Sequence, residues 1–159
     1  MSFSGILIAN RGEIAIRIAR AASDLGIRSV AVFSSDDESS LHVIKSDERV
    51  LLPGKGAAAY LDMDSIISAA KKNNCDAIHP GYGFLSEQAD FAKKCELEGV
   101  TFIGPKEKHL RLFGDKGAAR DAARSASVPV LNGINQPITL VEAESFFEDV
   151  KGSILVKAI

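Results

Sequence analysis

Lys116 and Lys157 stand out as chemistry-bearing side chains in this chain of 159 residues. Lys157 lies in an apolar run, Ser153 to Ile159, that reads as a strand. A lysine there either reaches solvent at a sheet edge or faces a bound anion, because burial without a partner is costly or removes its proton. Lys116 falls in the first turn of a helical pattern, where the helix dipole mildly disfavours a cation. The two could converge on a polyphosphate; two surface lysines among nineteen basic residues is the competing reading. Asn10, Arg11 and Glu13 follow another apolar run, at the place where open parallel sheets put ligands. A local salt bridge with helix capping by Glu13 would account for the same residues. Tyr82 sits between Gly81 and Gly83 in a bent loop, where its ring would have little cover. Such a ring suits a flat ligand or a packed neighbour; the alternative is a plain strand-to-helix connection whose Tyr82 and Phe84 cap the core. None of the three histidines forms a metal or triad pattern, and His79 reads as a structural hydrogen-bonding residue. Cys75 and Cys95, twenty residues apart, fit buried free thiols better than a zinc or redox pair.

The elements that position these groups alternate. Gly5 to Ala9 is a short buried strand, and Ile14, Ile18, Ala22 and Leu25 then share one helix face, closed by Gly26. Strands follow at Ser29 to Phe33, Arg49 to Leu52, Asp76 to His79 and Val100 to Ile103. Helices are expected from His42 to Ser46, from Asp62 to Asn73 with Asp62 as N-cap, and from Ser86, as cap, to about Glu98. This order calls for a parallel α/β sheet with right-handed crossovers and helices on both faces. The turn after the first strand carries only Gly12, not G-x-G-x-x-G, so the fold is Rossmann-like without an evident pyrophosphate cradle. The acidic stretch Ser34 to Ser40 reads as a solvated loop and helix cap, and Pro53-Gly54-Lys55-Gly56 as a loop without phosphate-loop spacing. Beyond Gly104 the pattern changes. Pro105 at N1 opens a short helix through Phe113, Asp115 caps another to about Ala126, and Thr139 with Glu142 forms a capping box. The second unit reads as an incomplete domain, since its final strand would need sheet partners from elsewhere.

Composition excludes several classes. With 46% apolar and 25% charged residues the chain is an ordinary globular one, and a net charge of −2 gives no basic field for nucleic acid. No apolar run approaches membrane-spanning length, and no leader is evident, which favours a cytoplasmic protein.

Four stretches occur together: Ile8-Ala9-Asn10-Arg11-Gly12-Glu13-Ile14-Ala15, His79-Pro80-Gly81-Tyr82-Gly83-Phe84-Leu85-Ser86-Glu87, Phe102-Ile103-Gly104-Pro105 and Gly114-Asp115-Lys116. In order and spacing they resemble the signatures of the biotin carboxylase family, over Ile6 to about Arg120. One departure is Ser46 in His42-Val43-Ile44-Lys45-Ser46-Asp47, where the family usually has Ala. The resemblance implies a Rossmann-like N-terminal domain over residues 1–104, then linker helices and an incomplete start of an ATP-grasp domain over 105–159. It implies that Lys116 and the lysine of Val156-Lys157-Ala158 contact ATP, and that Tyr82 and Gly83 form a wall on the biotin side of the cleft. It places Arg17, Arg20 and Asp24 at a homodimer contact, although the i,i+4 spacing of Arg20 and Asp24 also suits an intrahelical pair. The implied reaction uses ATP and Mg2+ to activate bicarbonate as carboxyphosphate, then carboxylates biotin on a carboxyl carrier domain that also serves a carboxyltransferase. The family's glycine-rich loop, magnesium-binding glutamates and bicarbonate-handling residues have no counterpart here, so the chain alone is expected to be inactive, with no catalytic residue, metal or bound cofactor. Two other readings are the leading domain of another ATP-grasp ligase and a non-catalytic Rossmann-like dimerisation or interaction module.

Overall fold

The first strand is apolar and buried throughout, and its side chains alternate between the two faces of the sheet, so it feeds two cores. In the computed structural model, which describes residues 3–157, β1 (Gly5–Ile8) is central to a five-stranded, wholly parallel sheet. Its neighbours are β2 (Arg28–Phe33) and β4 (Ala77–His79), with β3 (Glu48–Leu51) and β5 (Thr101–Phe102) outermost, giving the order β3-β2-β1-β4-β5. Register pairs Leu7 with Val30 on one side and Ile78 on the other. Successive side chains point to opposite faces. Ile8 packs with Ala15, Ile18 and Ala19 of α1 (Gly12–Asp24). Leu7 and Ala9 join Val30, Val32 and Ile78 in the larger core, under α4 (Met63–Lys72) and α5 (Ala89–Leu97). Helices therefore cover both faces, as expected of a Rossmann-like α/β domain. Short helices α2 (Leu41–Lys45) and α3 (Gly56–Ala59) fill connections, the latter within a stretch expected to start as loop.

The chain divides into two compact units, Met1–Arg111 and Leu112–Ile159. Among the described residues, every buried hydrophobic side chain lies at or before Val100. The later helices, α6 (Glu107–Gly114), α7 (Lys116–Ser125) and α8 (Leu140–Val150), bury no residue fully.

Three expectations need correction. Ser86 does not cap α5: its amide donates to the Gly83 carbonyl at 2.9 Å in a turn, Leu85 is drawn into the core, and the helix starts at Ala89. Pro105 is not N1 of α6, which begins two residues later at Glu107. Ser153 to Lys157 form no strand, because no described residue pairs with them; Ala158 and Ile159, the end of that run, lie outside the described residues.

Candidate functional site

The carboxyl ends of β1 and β4 lie side by side, with Ile8 opposite His79, so the segments that follow them meet. Asn10, 2% exposed, turns its amide into the loop after β4. Its Nδ2 donates to the carbonyls of Pro80 at 2.7 Å and Tyr82 at 2.8 Å, and its Oδ1 accepts from the Arg11 amide at 2.9 Å. Only the amide nitrogen can face two carbonyls, which fixes the orientation of the side chain. Gly81 between those carbonyls has φ +67°, and a Cβ there would stand 2.7 Å from Asn10 Nδ2. His79 accepts the Gly81 amide at Nδ1 (3.1 Å), which requires its proton on Nε2; burial holds its pKa below the ordinary value. The structural role expected of His79 is thus met.

Past Gly83 the loop returns to the core. Phe84 adopts φ +45°, an uncommon and costly conformation for a residue with a side chain. Its ring packs against Tyr60 at 5.3 Å between centroids, and Leu85 is buried. Tyr82, between the anchors, is 61% exposed, so it does not cap the core, whereas Phe84 does pack against it.

Arg11 lies over the Tyr60 and Phe84 rings, at 5.6 and 5.9 Å, and pairs with Asp37 at 3.2 Å. Asp37 also accepts from the hydroxyls of Tyr60 (2.8 Å), Ser40 (3.1 Å) and Ser34 (3.3 Å). Burial works against the Asp37 charge, but the Tyr60, Arg11 and Ser40 hydrogen bonds outweigh it and hold the carboxyl below its ordinary pKa. Burial, reinforced by Asp37, pushes the Tyr60 phenol up to about 12. The acidic stretch after β2 is therefore not simply a solvated loop: it supplies the anchor of a half-buried network. Tyr60 carried no motif to mark it. The usable signal was that a buried tyrosine hydroxyl needs a partner, and Asp37 follows a strand end where one could stand.

Glu13 stands in the first turn of α1, where its charge suits the helix dipole, and pairs with Arg17 at 3.6 Å, while Arg20 and Asp24 form no intrahelical pair. Arg17 and Arg20 line a cavity of about 420 Å³ with Gly12, Glu13, Ser40 and His42. His42 is buried, and neither ring nitrogen has a hydrogen-bond partner. Burial lowers its pKa, with the Val32 backbone and the Asp37 charge opposing only in part.

In the second unit, Lys116 is the exposed first residue of α7, whose cap Asp115 accepts from the Ala118 amide at 2.7 Å. Lys157 is exposed in an irregular segment. Among the described residues no three His, Cys, Asp or Glu side chains are gathered to hold a metal, and Cys75 and Cys95 are buried free thiols.

Residues 2–110 match the profile of a family described as the biotin carboxylase N-terminal domain. The chain is 52% identical to pyruvate carboxylase of Bacillus subtilis, an alignment covering 99% of the chain and 14% of that relative. It superposes on the biotin carboxylase domain of a single-chain bacterial carboxylase with a TM-score of 0.91 and 50% identity, covering 94% of the chain and 35% of that structure. It also matches the biotin carboxylase domain dimer of the Hydrogenobacter thermophilus 2-oxoglutarate carboxylase, a complex with MgADP, ADP and bicarbonate. There the TM-score is 0.90 and the identity 38%, over 94% of the chain and 33% of that structure.

Proposed function

The chain belongs to the biotin carboxylase N-terminal domain family, and from that premise we propose that it forms the leading segment of the biotin carboxylase component of a biotin-dependent carboxylase. In the complete enzyme bicarbonate attacks the γ-phosphorus of ATP, giving carboxyphosphate and ADP. The carboxyl group then passes to a ureido nitrogen of biotin on the carrier domain, phosphate leaves, and a carboxyltransferase takes the carboxybiotin onward. Catalysis of this kind rests on positioning and on cations that stabilise phosphoryl oxygens. Lys116 and Lys157 are the cations this chain contributes toward ATP. Tyr82 and Gly83 form the wall on the biotin side. The magnesium that accompanies ATP would be held by glutamates that, as the family resemblance implies, lie in the rest of the ATP-grasp domain.

The observation that carries this reading is the Tyr82–Gly83 turn, held open at the carboxyl ends of β1 and β4, where sheets of this type bind ligands. The domain division of the proposal is a Rossmann-like unit over 1–104 followed by the start of an ATP-grasp domain over 105–159. The exposed residues Arg17, Arg20 and Asp24 of α1 serve a homodimer contact in the complete enzyme. The setting is cytoplasmic, a reducing compartment in which two unpaired thiols persist; among the described residues no helix is long and apolar enough to cross a membrane.

The test is bicarbonate-dependent ATP hydrolysis with free biotin, on this chain and on a chain extended through the rest of the ATP-grasp domain. Activity is expected in the extended chain alone. Activity in the short chain would show that it already holds the residues assigned elsewhere. A folded but inactive extended chain would overturn the enzymatic reading in favour of an interaction module.

A further inference from the structure

We propose that Asn10 and Arg11 are positioning residues that hold the Tyr82–Gly83 turn in a fixed pose toward the biotin ring, a role that rests on the biotin-side reading of this turn.

The turn is clamped on both flanks by the segment that follows β1. On the entering flank a single Asn10 amide bonds the carbonyls of Pro80 and Tyr82, so those two peptide units cannot rotate independently. Gly81 between them must remain a glycine, because a Cβ would press on Asn10 Nδ2 at 2.7 Å and on Ile14 at 3.1 Å. On the leaving flank the Arg11 guanidinium lies over Phe84 and Tyr60, and its charge is held by Asp37. Phe84, in its left-handed conformation, packs there against Tyr60 at 5.3 Å. Residues kept in such conformations persist where the surroundings over-determine them, and they cluster at ligand clamps.

Between the two flanks the molecule is open. A Cβ at Gly83 would meet nothing within 4 Å, and the Tyr82 side chain points into solvent. The amides of Tyr82 and Gly83 donate to no acceptor among the described residues. The clamp thus uses an almost fully buried side chain to fix a turn whose base, Pro80 and Gly81, packs on the domain and whose tip, Tyr82 and Gly83, is exposed. The bonds satisfy a buried amide and at the same time fix the exposed tip; a flat ligand laid against that tip would gain from this, since a displacement of about 1 Å can cost on the order of a hundredfold in rate.

The experiment is performed in the complete enzyme that carries this segment, with KM measured separately for biotin and for ATP. Asn10→Ala and Asn10→Asp are both expected to raise KM for biotin about tenfold or more while KM for ATP stays within about twofold. The aspartate keeps the shape and the bond from the Arg11 amide but sets an oxygen against two carbonyls, so wild-type behaviour in Asn10→Asp would overturn the donor role. Gly81→Ala, which leaves Asn10 in place and displaces the turn, carries the same expectation. Loss of one variant to misfolding therefore leaves the split measurable in another. A wild-type enzyme without biotin-dependent ATP hydrolysis removes the functional reading itself. An active wild type whose variants shift both KM values together, or neither, overturns the positioning role alone.

Discussion

Asp37 keeps its charge in a half-buried position because four donors converge on it, from Tyr60, Arg11, Ser40 and Ser34. Replacing it by Asn keeps the shape but removes the charge from the Arg11 pair and places an amide group among donors. The expected loss is about 1–3 kcal/mol, read as a lower urea midpoint with an unchanged slope. The histidines set a second dependence. His42 and His79 both have pKa values lowered by burial, so the unfolded chain takes up their protons first as pH falls. Their effect is absent above about pH 6.5 and destabilises progressively below it. The depressed carboxyls of Asp37, Asp47, Asp62 and Asp76 act lower: their stabilisation is intact above the ordinary value of 3.8 and is lost as pH drops through their folded values. Stability is therefore expected to fall between pH 7 and 5, above the range in which these four carboxyls act. His42→Leu, which removes a buried ring without hydrogen-bond partners, should flatten that slope in urea titrations run across the range. An unchanged slope would mean that His42 is not protonated on unfolding.

At the scale of elements, caps were the legible feature and turns were not. Asp62 accepts from the Ser65 amide at 3.1 Å to start α4, as its residue type predicts. Asp62→Ala should cost about 1 kcal/mol in chemical denaturation, since it orphans a helix donor and leaves the apolar face untouched. Thr139 and Glu142 form the complete capping box of α8, again as their spacing requires. The start of α5 was misplaced because Ser86 is a good cap by type, but burial of Leu85 commits that turn to the core and delays the helix to Ala89. Local propensity proposes a cap, and tertiary packing decides whether it is used.

The whole molecule is uneven in its packing. The sheet unit encloses two hydrophobic clusters, whereas α8 leaves Leu140, Val141 and Phe147 exposed. Amides of β1, β2, β4, α4 and α5 are expected to exchange with solvent slowest, and those of residues 112–157 much faster, in hydrogen-exchange mass spectrometry of this chain. Equal protection in both units would contradict the difference in burial. Extending the chain through the rest of the proposed ATP-grasp domain should slow exchange in α8 and leave the sheet unit unchanged.

The sequence by itself determined the parallel α/β order, the positions of the five sheet strands to within a residue or two, the helix caps at Asp62, Asp115 and Thr139, and the family, while the strand expected from Ser153 did not form among the described residues. Each depends on spacing or residue type along the chain: periodicity selects the elements, and a short polar side chain three residues before an amide makes a cap. It also marked Asn10, Arg11, Tyr82 and Gly83 as a place to look. What it could not reach was the clamp that joins them. Asn10 meets Pro80 and Tyr82 across some seventy residues, and Arg11 meets Asp37 and Tyr60. Those meetings follow from the pairing of β1 with β4 and β2, which sets their carboxyl ends side by side. Only the tertiary structure could make them, because a hydrogen bond or ring contact needs atoms within a few ångströms, and chain spacing says nothing about which distant strand ends become neighbours.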